Sequence, residues 1–126
     1  MATATIKNET QSVAQIIRDQ IGVLGLMTLG ASDLHYFKNS AGEPGLTFIA
    51  RILPFTKNGE RSSRPSKMQV SVTLSSMDLY NVTVVRRARG ETITHFKGED
   101  LSASDLQPLM VALDYDGDEV LNPRYA

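Results

Sequence analysis

The sequence predicts an α+β domain, in which an antiparallel β-sheet of four to five strands runs as a meander, with an N-terminal helix and a C-terminal helix packed on it. Three observations predict it. Apolar residues recur at helical spacing near both ends, at Val13, Ile16, Ile17 and Ile21 and again at Leu106, Leu109, Met110 and Leu113. Between them, Met68–Leu74 alternates strictly, with Met68, Val70, Val72 and Leu74 set against Gln69, Ser71 and Thr73, the period of a strand with one buried face. Short turn-forming segments separate several of the β-prone runs, and short connections make sequential strands antiparallel neighbours.

At 126 residues the chain has the size of one domain with a core of its own. Residues 1–9 read as a flexible N-terminal arm, 10–113 as the single domain and 114–126 as an acidic C-terminal tail. The first helix is expected from about Thr10, with Thr10 or Ser12 as its cap and Gly22 as its end. Gly22–Gly30 then interleaves three glycines with Val23, Leu24, Leu26, Met27 and Leu29, and reads as a buried connector in preference to a kinked continuation of the helix.

Leu34–Lys38 is a short β-prone run that Asn39–Gly45 returns as a hairpin. Leu46–Leu53 is apolar on both faces, with Leu46, Phe48, Ala50 and Ile52 on one and Thr47, Ile49, Arg51 and Leu53 on the other. A central strand partly covered on two sides is the expectation. Phe55–Lys67 is a basic loop, Met68–Leu74 and Leu79–Arg87 are strands joined tightly at Ser75–Asp78, and Arg89–Gly90 turns the chain into Glu91–Phe96. Lys97–Leu101 reads as a loop. Ser104-x-x-Gln107 has capping-box spacing and opens the second helix.

Few residues suit catalysis. His35 and His95 are the only histidines, each falls in an expected strand, and neither has a nucleophile or orienting group at triad spacing. No Gly-x-Ser-x-Gly elbow, His-Glu-x-x-His or phosphate-loop motif occurs. The run Asp114-Tyr115-Asp116-Gly117-Asp118-Glu119 alternates acids as a calcium loop does, yet its Gly is fourth and the twelfth position is Tyr125, where an EF-hand needs Gly at six and Glu at twelve. The expectation is a protein that is not an enzyme, with no catalytic residue, no metal and no cofactor. The absence of cysteine rules out a disulfide framework and suits a reducing compartment. No apolar run approaches the roughly 18–20 residues of a membrane span, and the first residues lack the pattern of a signal peptide. Asn8-Glu9-Thr10 and Asn81-Val82-Thr83 are sequons that matter only in a secreted chain.

Charge is the informative feature. The formal net charge of −1 divides into −1 over residues 1–50, +6 over 51–89 and −6 over 90–126. Such segregation marks either a polyanion-binding surface or two segments that neutralise each other in the fold. Arg51, Phe55, Lys57, Arg61, Arg64 and Lys67 lie on or beside the first strand-to-strand loop, and Arg86, Arg87 and Arg89 lie at the end of the third strand of the meander core. Antiparallel pairing brings these two groups to one end of the sheet, which suits phosphate because Arg presents a planar fork to its oxygens. Phe55, with Tyr36 and Phe37, is a candidate for stacking on unpaired bases. Against a flat groove, Arg86 and Arg87 alternate to opposite faces, and the wet face of Met68–Leu74 carries no aromatic platform.

The run Gln20-Ile21-Gly22 through Leu29-Gly30-Ala31, then Leu46-Thr47-Phe48, Val70–Leu74 with Asp78-Leu79-Tyr80-Asn81-Val82, and finally a strand followed by Asp105-Leu106-Gln107, resembles small uncharacterised accessory proteins of tailed phages and mobile elements. The likeness spans residues 12–113 and transfers no active site. It implies an accessory protein working in the cytoplasm of a bacterial host. Joined to the charge pattern, the expectation is a nucleic-acid binder, single-stranded DNA or RNA favoured, with no membrane partner. Two alternatives stay open: a protein-interaction inhibitor of a host defence system or host enzyme, whose acidic C-terminal surface mimics phosphate, and a self-assembling virion component, a homo-oligomer built by exchange of its termini.

Overall fold

The computed structural model describes residues 2–54, 62 and 64–113, with the backbone alone for residues 2–9 and 24. It is an α+β fold in the order α1 (Ala2–Thr28), β1 (Ser32–Lys38), β2 (Pro44–Ile52), β3 (Ser66–Leu74), β4 (Tyr80–Ala88), β5 (Glu91–Leu101) and α2 (Ala103–Leu113). The five strands form one sheet in sequence order, each antiparallel to the next. The expected meander is therefore present, with β1 and β5 at its edges.

Alternation decides which face is covered. Leu46, Phe48, Ala50 and Ile52 of β2, Met68, Val70 and Val72 of β3, Tyr80, Val82 and Val84 of β4, and Phe96 and Leu101 of β5 are buried in one cluster. Ala14, Ile17, Ile21 and Leu29 from α1 and its end, and Leu106, Leu109, Met110 and Leu113 from α2, join the same cluster. Both helices therefore cover one face, and the odd-numbered residues of β2, β3 and β4 form the other. Each large side chain fully withdrawn from water contributes about 1.5–3 kcal/mol, so this single layered core carries the fold.

The structure departs from the sequence expectation at both ends of α1, in β5 and at the cap of α2. The expected arm over residues 1–9 gives way to helix from Ala2; alanines and an absence of Gly and Pro ahead of Gly22 leave nothing there to stop helix growth. Gly22 does interrupt the helix, at φ 82 and ψ 158, but a further helical segment continues to Thr28, where a buried connector was expected. That segment is amphipathic, with Gly25 buried while Val23 and Met27 are 69% and 72% exposed, and Leu29 just beyond it is buried. Finally, β5 runs through Lys97–Leu101, the expected loop. Bulges between its pairings with Tyr80 and Val82 and with Val84 and Val85 restore the alternation, so that Phe96, Gly98 and Leu101 all meet the core.

The second helix starts one residue before Ser104, and its cap is Ser102. The Asp105 N–H donates to the Ser102 carbonyl at 3.0 Å, and the Ser102 N–H and Oγ donate to Asp105 Oδ2 at 2.9 and 3.0 Å. Ser102-x-x-Asp105 thus takes the place of the expected Ser104-x-x-Gln107 box, because a carboxylate at that position can accept from both groups of the cap residue. Among the described residues no helix is long and apolar enough to cross a membrane.

Candidate nucleic-acid interface

Three cations share one row of the uncovered sheet face. On β2, Arg51 follows Thr47 and Ile49 in the alternation, and its N–H donates to the Leu29 carbonyl at 2.8 Å, which ties this end of the strand to the chain leaving α1. Arg51 stands directly opposite Lys67 on β3. Gln69 of β3 pairs with Val85 of β4, so Lys67 and Arg87, each two residues further towards the same end, occupy neighbouring positions on the same face. Arg87 in turn pairs with Thr92 of β5. With strands about 4.8 Å apart, the row spans about 10 Å. All three cations are exposed.

Like charges set directly across an antiparallel pair repel, and among the described residues none of Arg51, Lys67 and Arg87 has an ion pair. Beside the row lies a shallow depression of about 620 Å³, lined by Lys67, Gln69, Val85, Arg86, Arg87 and Thr92, with Ile49, Ser32 and Asp33 on the β1 side. From Gln69 of its lining, side-chain bonds run along the same face. Gln69 Nε2 donates to Thr47 Oγ1 at 3.1 Å, Thr47 Oγ1 donates to the Val70 carbonyl at 3.0 Å, and Ser71 Oγ lies 3.2 Å from Thr47 Oγ1. These bonds knit together the face that neither helix covers.

The remaining basic residues surround the row unevenly. Arg86 is half-buried, pairs with Ile93 and alternates away from Arg87. Arg89 is exposed at the tip of the two-residue turn between β4 and β5, where Arg89 and Gly90 both take positive φ, 56 and 80, as that turn type requires. Arg64 is exposed just before β3, and its N–H donates to Ser62 Oγ at 3.3 Å. Phe55, Lys57 and Arg61 lie outside the described residues, as does the acidic run 114–119.

The aromatic candidates are not brought to the row. Tyr36 pairs with Leu46 on the helix-covered side, and Phe37 pairs with Gly45, six residues along β2 from Arg51 and therefore about 20 Å from it. Sequence reasoning missed Asp33 as a neighbour of the cations. A β-bulge between Ser32 and His35, with Asp33 at φ 55, sets its position, and no sequence signal marks that bulge. His35 is exposed on the edge strand and His95 is half-buried at the β5 bulge. Among the described residues no three His, Cys, Asp or Glu side chains group as metal ligands would.

A second concavity, of about 750 Å³, separates α1 from the edge strand β1. It is lined chiefly by Ala14, Val23, Leu26, Met27, Leu34 and Tyr36, with Arg18 and His35 among its polar residues. Comparison with protein-family models, with curated proteins and with solved structures gives no match to this chain.

Proposed function

We propose that this chain is a non-catalytic accessory protein of a phage or mobile element that binds nucleic acid through the basic end of its uncovered sheet face, in the cytoplasm of a bacterial host. The observation that carries the binding is the row Arg51–Lys67–Arg87, three cations held side by side with no ion pair among the described residues. Retaining such a row against its own repulsion makes sense when a polyanion supplies the missing charge, since each phosphate it neutralises releases a condensed counterion. The origin in a phage or mobile element rests on the resemblance of residues 12–113 alone.

Affinity for nucleic acid is expected to fall steeply with salt. Changing Arg51, Lys67 and Arg87 together to Ala should weaken binding by more than tenfold and flatten the dependence of log K on log salt by about three units, one per lost phosphate contact. Fluorescence anisotropy with labelled oligonucleotides measures both. A chain that binds no nucleic acid even at low salt would remove this reading.

One observation favours a second reading, in which the chain acts on a host protein. The groove between α1 and β1 leaves Val23 and Met27 exposed beside Leu34 and Tyr36, the composition of a surface that buries against protein. Absence of nucleic-acid binding at low salt would leave this groove as the candidate surface.

A further inference from the structure

We infer that the ligand of the basic row is the backbone of a nucleic-acid duplex in preference to an unpaired strand, a reading that rests on the nucleic-acid function proposed above. Proteins that hold unpaired strands set aromatic rings beside their cations so that bases can stack. Around this row the uncovered face offers Thr47, Ile49, Gln69, Ser71, Val85 and Thr92. No ring stands there among the described residues. Phe48, Tyr80 and Phe96 are spent in the core, Tyr36 lines the α1–β1 groove, and Phe37 lies at the other end of β2.

A duplex makes no demand for rings. Its bases are already stacked and its phosphates face outward, so contacts that position the backbone need only cations and small donors. The row supplies the cations, Arg51 and Arg87 with bidentate geometry, and Gln69 and Thr92 supply side-chain donors on the same face. Arg89, exposed on the hairpin beyond Arg87, lies off the row at the same end of the sheet. Asp33 is the one acid of the depression among the described residues, and it repels phosphate on the β1 side. Recognition of this kind reads no base, so affinity follows charge density, which is higher for a duplex than for a single strand.

The full chain, titrated by fluorescence anisotropy against a 24-base-pair DNA duplex and against a 24-residue oligothymidine, tests the inference. The expected result is at least tenfold tighter binding to the duplex, equal affinity for duplexes of unrelated sequence, and a slope of log K on log salt near −3. Arg87→Gln should weaken duplex binding several-fold. Equal or tighter binding to oligothymidine overturns the inference and leaves nucleic-acid binding standing. Failure to bind either probe overturns both.

Discussion

Folding alters the chemistry of Tyr80. Its ring is buried among the core residues, and burial raises its pKa above the ordinary 10.0, opposed by the hydrogen bond from the Gln20 side chain and reinforced by the negative charge of Asp78. A phenol whose pKa is raised by folding contributes stability that is complete below the unfolded pKa and is lost as pH climbs through and beyond it. Wild-type protein is therefore expected to lose stability progressively above about pH 10, and Tyr80→Phe to lack that component of the loss. Urea midpoints measured from pH 7 to 11 give the two slopes, and parallel slopes would contradict the assignment. At pH 7 the variant should be about 1 kcal/mol less stable, since it removes the hydroxyl that pairs with the Gln20 side chain, whose Oε1 is already buried without a partner among the described residues.

At the scale of elements, Gly22 decides how α1 meets α2. Its backbone, at φ 82 and ψ 158, lies in a region that is essentially reserved for glycine, and the turn it makes lets the segment ending at Thr28 pack Gly25 against Met110. Gly22→Ala should cost about 1–3 kcal/mol in urea unfolding. A Cβ at residue 22 would also come within 3.1 Å of Gln107 Nε2, but that amide ends a flexible side chain and can swing away. Adding Gln107→Ala should therefore leave the loss unchanged, and full rescue by the second substitution would show that crowding, not backbone strain, sets the cost. Gly22 also shows where sequence reading stopped. Glycine announced the break in the helix, while nothing local announced that helix resumes at Val23, because the packing of Gly25 on Met110 is a contact between segments far apart in sequence. The same holds for Lys97–Leu101, where two bulges that only pairing with β4 reveals keep the strand going. Strict alternation in Met68–Leu74 needed no such help and was legible at once. So was the nearness of Lys67 to Arg87, which the meander order alone gives, while Phe55, Lys57 and Arg61 of the basic loop lie outside the described residues. The position of Asp33 was not legible, because a bulge governs it.

For the whole molecule, the question is whether the +6 middle and −6 end neutralise each other or keep an unpaired surface for a ligand. The two cases predict opposite signs for one substitution. Lys67 stands between Arg51 and Arg87, directly opposite the first and next to the second. Were the row neutralised by carboxylates, Lys67→Gln would remove an attraction and destabilise the fold. With the row unpaired, the same change removes two repulsions across neighbouring strands, each on the order of 0.2–1 kcal/mol, while Gln preserves much of the side-chain stem that covers the sheet. The expected outcome is a gain of roughly 0.5–1 kcal/mol at low ionic strength, accompanied by weaker binding of nucleic acid, the pattern of a site that keeps charge for function against its own stability. Salt supplies the control. At about 1 M the Debye length falls to about 3 Å, shorter than the spacing between strands, so the stability gain of Lys67→Gln should shrink towards zero as salt rises. Urea unfolding followed by circular dichroism at 0.02 and 1 M salt measures it, and a variant less stable than wild type at low salt would return the row Arg51–Lys67–Arg87 to a structural role.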